Sequence, residues 1–172
     1  MKLLVIDVQK GIMDERLYHF QSLVKNIQIL TETARKQGIE VIYVQHDDGP
    51  NTGFSLGDEE FEIYEGVKPN KDEKCFVKTK CSCFSNEELK RYLQDEIVLI
   101  FVGLQTNYCI DASIKTAFDL GYTVIVPKDC NSTFDNPYMD AKTTVRYYNE
   151  WIWPERFAKC LSVEETLQLM LK

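Results

Sequence analysis

The chain has 172 residues and a mass of 20.0 kDa, the size of one ordinary domain. Hydrophobic residues make up 44% and charged residues 27%, so the chain can bury a core and need not be disordered. A net charge of -7 argues against nucleic acid as a partner, although a small anionic substrate would need only one or two local cations.

The opening run Met1-Lys2-Leu3-Leu4-Val5-Ile6-Asp7 meets an aspartate where a signal peptide would stay apolar. With no apolar stretch long enough to span a bilayer, this predicts a cytoplasmic protein and no membrane partner. Lys2–Asp7 reads as a buried strand whose last residue emerges at the sheet edge. Leu23, Ile27, Leu30 and Ala34 recur at helical spacing, and Gly38 is a plausible stop. Val41–Gln45 reads as a second strand. From His46 to Asp72 the chain is rich in Gly, Pro, Asn and acids, and so long a loop in a compact domain is usually functional. Its acidic run Asp58-Glu59-Glu60 reads as a solvated face.

Phe76-Val77-Lys78 is a short strand candidate. Ser85-Asn86-Glu87-Glu88 has the pattern of a capping box opening a helix through Leu89 and Leu93. Ile97–Gly103 is the strongest strand, apolar on both faces as a central parallel strand should be. A helix over Asn107–Leu120 follows, ended by Gly121, and then a strand over Tyr122–Pro127. Asp140–Asn149 and Val163–Leu171 are further helices, the last capped by Ser162 with Glu165 three residues on. Trp153 is expected to pack the C-terminal region onto the sheet, while Trp151 is open between packing and a subunit contact. Strands alternating with helices imply an α/β fold with a parallel sheet covered on both faces. No repeat or linker divides it, so residues 1–172 are expected to form one domain.

The six cysteines are Cys75, Cys81, Cys83, Cys109, Cys130 and Cys160. Without an export signal they do not suggest a disulfide framework, and most read as small buried hydrophobes. No Cys-x-x-Cys occurs and the histidines are His19 and His46, so no metal is expected. Neither glycine-rich phosphate motif is present, and no cofactor is expected. In open parallel sheets ligands bind beyond the carboxyl ends of the strands. Asp7, Lys78 and Cys109 all fall at such ends. Cys109 lies in the first turn of a helix, where free N–H groups and the dipole favour thiolate and can hold an oxyanion. Together they could supply a base, a charge stabiliser and a nucleophile.

Three segments then resemble the isochorismatase-like cysteine hydrolases. Leu4-Val5-Ile6-Asp7-Val8-Gln9 resembles the opening motif of that superfamily. Val77-Lys78 followed by Ser82-Cys83-Phe84 resembles its lysine segment. Gly103-Leu104-Gln105-Thr106-Asn107-Tyr108-Cys109-Ile110 resembles its nucleophile motif. Ala117, Gly121-Tyr122 and Asp129 continue the pattern. The resemblance implies a Rossmann-like fold, an Asp7-Lys78-Cys109 triad, and an oligomer. Lys80 competes for the lysine role, and Lys78 is preferred because it lies four residues before Ser82. The resemblance also implies a non-proline cis peptide at Leu104–Gln105, aiming the Gln105 N–H, with that of Cys109, at a developing oxyanion.

The departures narrow the reading. Nicotinamidases of the superfamily build a metal site from an aspartate and several histidines after the second strand. Here that loop offers His46, Asp47 and Asp48, which argues against nicotinamidase activity. Isochorismatases that cleave a vinyl ether can work without the cysteine, so Cys109 tilts the expectation toward C–N hydrolysis of a small molecule through a thioester. The alternatives are a vinyl ether hydrolase in which Cys109 is dispensable, and a non-catalytic binding protein with the same fold. His46 is a candidate for orienting substrate, or a loop histidine satisfied by its neighbours. Phe54, Phe84, Tyr108 and Phe134 are expected to line an apolar pocket over Cys109, with core packing an equal account of Phe84.

Overall fold

The computed structural model describes residues 1–171. Seven parallel strands form one sheet: β1 (Lys2–Ile6), β2 (Glu40–His46), β3 (Lys74–Lys78), β4 (Val98–Leu104), β5 (Thr123–Pro127), β6 (Asn131–Ser132) and β7 (Lys159–Leu161). The spatial order is β3-β2-β1-β4-β5-β7, and β6 joins β4 at Gly103–Leu104. The chain winds outward from β1 in both directions. The strand order therefore reverses between β1 and β4, the place where α/β sheets open a crevice at their carboxyl edge.

The continuous apolar runs in β1, β2 and β4 follow from burial on both faces. On one face Leu3, Val5, Val41, Tyr43, Ile100 and Val102 pack beneath α1 (Phe20–Lys36) and α5 (Val163–Met170). The buried side of α1 is Leu23, Ile27, Leu30 and Ala34, the expected spacing. On the other face Leu4, Ile6, Ile42, Val44 and Phe101 meet α2 (Glu87–Leu93) and α3 (Asp111–Asp119). Trp153 is fully buried in this second layer and donates its indole N–H to Asp111 Oδ1 at 2.9 Å. Trp151 is 74% exposed.

Two local expectations need correction. The cap of α2 is Asn86, whose side chain accepts from the Leu89 amide at 2.8 Å; Ser85 lies in the preceding 3-10 turn Cys83–Ser85. Asn wins because it stands one residue before the first helical residue, where its carbonyl oxygen reaches the third amide. The expected helix 140–149 is α4 (Ala141–Tyr147), continued by a π-helical turn Tyr148–Ile152. Ser162 and Glu165 do form a complete capping box on α5. Among the described residues no helix is long and apolar enough to cross a membrane.

Candidate active site

Period-two geometry decides which strand-end residues meet. Ile42, Val44 and His46 alternate onto one face of β2; Phe76 and Lys78 do the same on β3. His46 and Lys78 are register partners, so the apolar column ends in an imidazole beside an ammonium. Asp7 follows β1 immediately. Its amide still donates to Val44 O at 2.8 Å, but its φ of +51° turns the chain away from the strand path. Aspartate tolerates that left-handed region better than most residues. Gly103, opposite Ile6, makes the close passage possible: at its φ of +119° a Cβ would stand 2.0 Å from Ile6 O.

Cys109 enters from β4. The Leu104–Gln105 peptide is cis, and Thr106–Ile110 forms a π-helical turn that runs into α3. The Gln105 carbonyl accepts from the amides of Tyr108 and Ile110, each at 3.1 Å. Single π turns of this kind are frequent at functional sites.

The structure brings Asp7, Lys78 and Cys109 into contact. Lys78 Nζ lies 2.8 Å from Asp7 Oδ2, 3.2 Å from Cys109 Sγ and 2.9 Å from His46 Nδ1. The ammonium thus has an acceptor for each of its three protons, and its side chain is wholly buried. His46 Nδ1 accepts, so Nε2 carries the ring proton and donates to Asp48 Oδ1 at 2.9 Å. The histidine buttresses the lysine, a contact that sequence reading missed. Gln9 is another missed residue. Fully buried, it accepts from the His46 amide at 2.7 Å and donates to the carbonyls of His46 and Phe61. It ties the end of β2 to the long loop, and its place in the Asp7-x-Gln9 segment was the available signal.

Burial raises the Asp7 carboxyl above its ordinary 3.8, with Lys78 working against the rise. Burial opposes the Lys78 charge, but Asp7 and Cys109 prevail and its pKa is raised. Burial, and then the Asp7 charge, push the Cys109 thiol well up, with Lys78 pulling the other way. Desolvation and the neighbouring carboxylate therefore oppose the thiolate that Lys78 favours. Asp7 Oδ1 is buried and has no hydrogen-bond partner.

A cavity of about 390 Å³ opens onto this cluster. Asp7, His46, Gln105 and Cys109 contribute its reactive side, and Ile12, Phe54 and Tyr108 its apolar walls. Asp48 and the exposed Cys81 complete the lining. Phe54 and Tyr108 line this cavity. Phe84 does not: it is 4% exposed, stacked on Tyr122 in the second layer. Phe134 lies outside the lining, against the first layer and under the Arg16 guanidinium. Both follow apolar demand from the core rather than from the cavity.

Asp7, His46 and Cys109 present ligand-type atoms within 4.8 Å of one another, a set that could in principle hold a metal. The Lys78 ammonium already touches all three, and a second cation there would meet its charge. Nor does the loop after β2 supply a free donor set. His46 uses both ring nitrogens, and Asp47 turns back to the Gly49 amide at 2.7 Å. These residues do not fit a nicotinamidase-type metal.

A family model, the isochorismatase domain, matches residues 2–165. The chain belongs to the isochorismatase family. An uncharacterized family protein of Bacillus subtilis, YrdC, is 29% identical over 99% of this chain and 96% of its own length. A streptothricin hydrolase of Streptomyces noursei is 28% identical over 78% of this chain, which spans half of that protein. A crystal structure of another isochorismatase family protein superposes with a TM-score of 0.86 at 28% identity, covering 94% of this chain and 97% of the other. The chain is thus an isochorismatase-like hydrolase-family protein with amidohydrolases among its relatives.

Proposed function

We propose that this isochorismatase-family protein is a cysteine hydrolase that cleaves the C–N bond of a small amide through a thioester. The observation that carries the reading is the buried Asp7–Lys78–Cys109 cluster at the mouth of a substrate-sized cavity. Asp7 is the general base, with its unpartnered oxygen free to take the thiol proton. Burial and the Asp7 charge favour the protonated thiol, so in this scheme proton removal accompanies attack on the carbonyl carbon. Lys78 holds charge on sulfur and carboxylate while the proton moves. The amides of Gln105 and Cys109 are the oxyanion donors. The tetrahedral adduct collapses as Asp7 returns the proton to the departing amine. Water, deprotonated by Asp7, then splits the thioester, the acid departs, and the sulfur regains its proton. One amide and one water become one acid and one amine.

The test is a primary amide panel with wild type and Cys109→Ala. The variant should lose turnover about a thousandfold or more, and intact-protein mass of wild type should catch an acyl adduct on Cys109. Amide turnover that survives in Cys109→Ala removes the thioester; vinyl ether cleavage by Asp7 is selected only if both proteins leave the amides intact and both cleave an enol ether.

A further inference from the structure

The cavity has a sign. Its charged lining groups are the carboxylates of Asp7 and Asp48. Lys78 lies behind them, its side chain fully buried and its protons engaged by Asp7, His46 and Cys109, so it offers no hydrogen bond to a ligand. The cations nearest in sequence are also committed elsewhere. Lys10 pairs with Glu62 at 2.7 Å, and Arg16 pairs with Asp14 and sits over Phe134. Lys80 is exposed and outside the lining.

Asp48 is the open charge. It spends Oδ1 on His46 Nε2 and keeps its side chain 55% exposed at the cavity. Two aromatic rings, Phe54 and Tyr108, share the lining with it. A carboxylate with aromatic faces suits an ammonium or guanidinium, which gains from both, and it repels a carboxylate. A second observation points the same way. Asp7 belongs to the same lining and its buried Oδ1 has no hydrogen-bond partner, so this wall presents an anionic ligand with a carboxylate acceptor and no donor.

Resting on the amide reading, we infer that the substrate carries a positive charge on the arm that leaves the scissile carbonyl past Asp48. Asp48 is then a specificity-determining residue and takes no part in bond cleavage. An acidic metabolite, such as a dicarboxylate, is the wrong class of substrate for this cavity.

The inference can be read without any substrate. Methanethiosulfonates convert Cys109–SH to a mixed disulfide and release methanesulfinic acid, whatever the charge on the transferred arm. Rates at Cys109, followed by peptide mass, would be compared for trimethylammonioethyl, propyl and sulfonatoethyl reagents. Each would be normalised to its rate with 2-mercaptoethanol. The cationic reagent should exceed the anionic one by about tenfold at low salt, with the ratio shrinking as salt is raised. Asp48→Asn, which keeps an acceptor for His46 Nε2, should bring the ratio to about twofold or less. Equal normalised rates in wild type, or a ratio unchanged in Asp48→Asn, would overturn the inference.

Amide kinetics separate this from the parent reading. Hexanamide, 6-aminohexanamide and the monoamide of adipic acid differ mainly in terminal charge. If all three turn over with equal kcat/KM, amide hydrolysis stands and charge selection falls. If none turns over while the reagent ratio holds, the amide reading falls and the cationic preference of the cavity remains.

Discussion

Lys78 has three protons and three acceptors, and that arithmetic governs its neighbours. A buried ammonium so fully engaged stays charged, since losing its proton would strand the Asp7 carboxylate. The Cys109 thiol between these charges is held up by burial and by Asp7, and drawn down by Lys78. The signs give opposite predictions for two readouts of one variant. Asp7→Asn removes the negative charge and leaves the positive one, so the thiol pKa should fall and iodoacetamide should label Cys109 faster at pH 7. The same variant loses the base, and turnover should drop by about 10²–10⁴-fold. In wild type, labelling of Cys109 at pH 7 should be slower than that of the exposed Cys81 and should climb as pH rises. A slower thiol in Asp7→Asn would mean that Asp7 does not hold the proton on sulfur. Much of this cluster was legible, because Asp7, Lys78 and Cys109 stand at strand ends within recognisable segments. The role of His46 was not. Its contact depends on the β2–β3 register, and nothing in a loop-like His-Asp-Asp run states that register.

The elements that carry the site are those written in long apolar runs. β1, β2 and β4 were readable because burial on both faces leaves a continuous hydrophobic signature. β6 and β7 have two and three residues, too few for any period to show. The π turn at Thr106–Ile110 was hidden for another reason: it is a single turn at the start of the helix, too short for its wider hydrogen-bond spacing to show in the apolar pattern. Phe84 and Phe134 could not be assigned from pattern, since core and pocket ask for the same side chain. One glycine makes the junction of β1 and β4 testable. Gly103→Ala would place a methyl against Ile6 O in a left-handed backbone, with main chain rather than a flexible side chain in the way. The loss should be about 3 kcal/mol or more, read as a lowered urea midpoint. Asp7 would shift with Ile6, so activity should fall even in the fraction that stays folded. A change below about 1 kcal/mol would show that the strand ends separate easily.

At the scale of the whole molecule, one sheet divides two apolar layers, and each layer contains a completely buried thiol. Cys130 belongs to the layer under α1 and α5, and Cys83 to the layer under α2 and α3. β1, β2 and β4 contribute side chains to both layers, so neither can open without exposing the back of the other. The asparagine pair Asn131–Asn149, joined by reciprocal hydrogen bonds of 3.0 and 2.9 Å, fastens β6 to the turn after α4. This architecture predicts a single cooperative transition. Pulsed thiol labelling across a urea series should expose Cys83 and Cys130 at one midpoint, coincident with the loss of far-UV circular dichroism. Trp153 fluorescence, isolated by Trp151→Phe, should follow the same curve, because its ring is buried in the second layer while residue 151 is exposed. If Cys130 labels at lower urea than Cys83, the α1–α5 layer peels away first. The strand ends bearing Asp7 and His46 would then be supported from one side only, and activity should be lost with Cys130 protection rather than with the global transition.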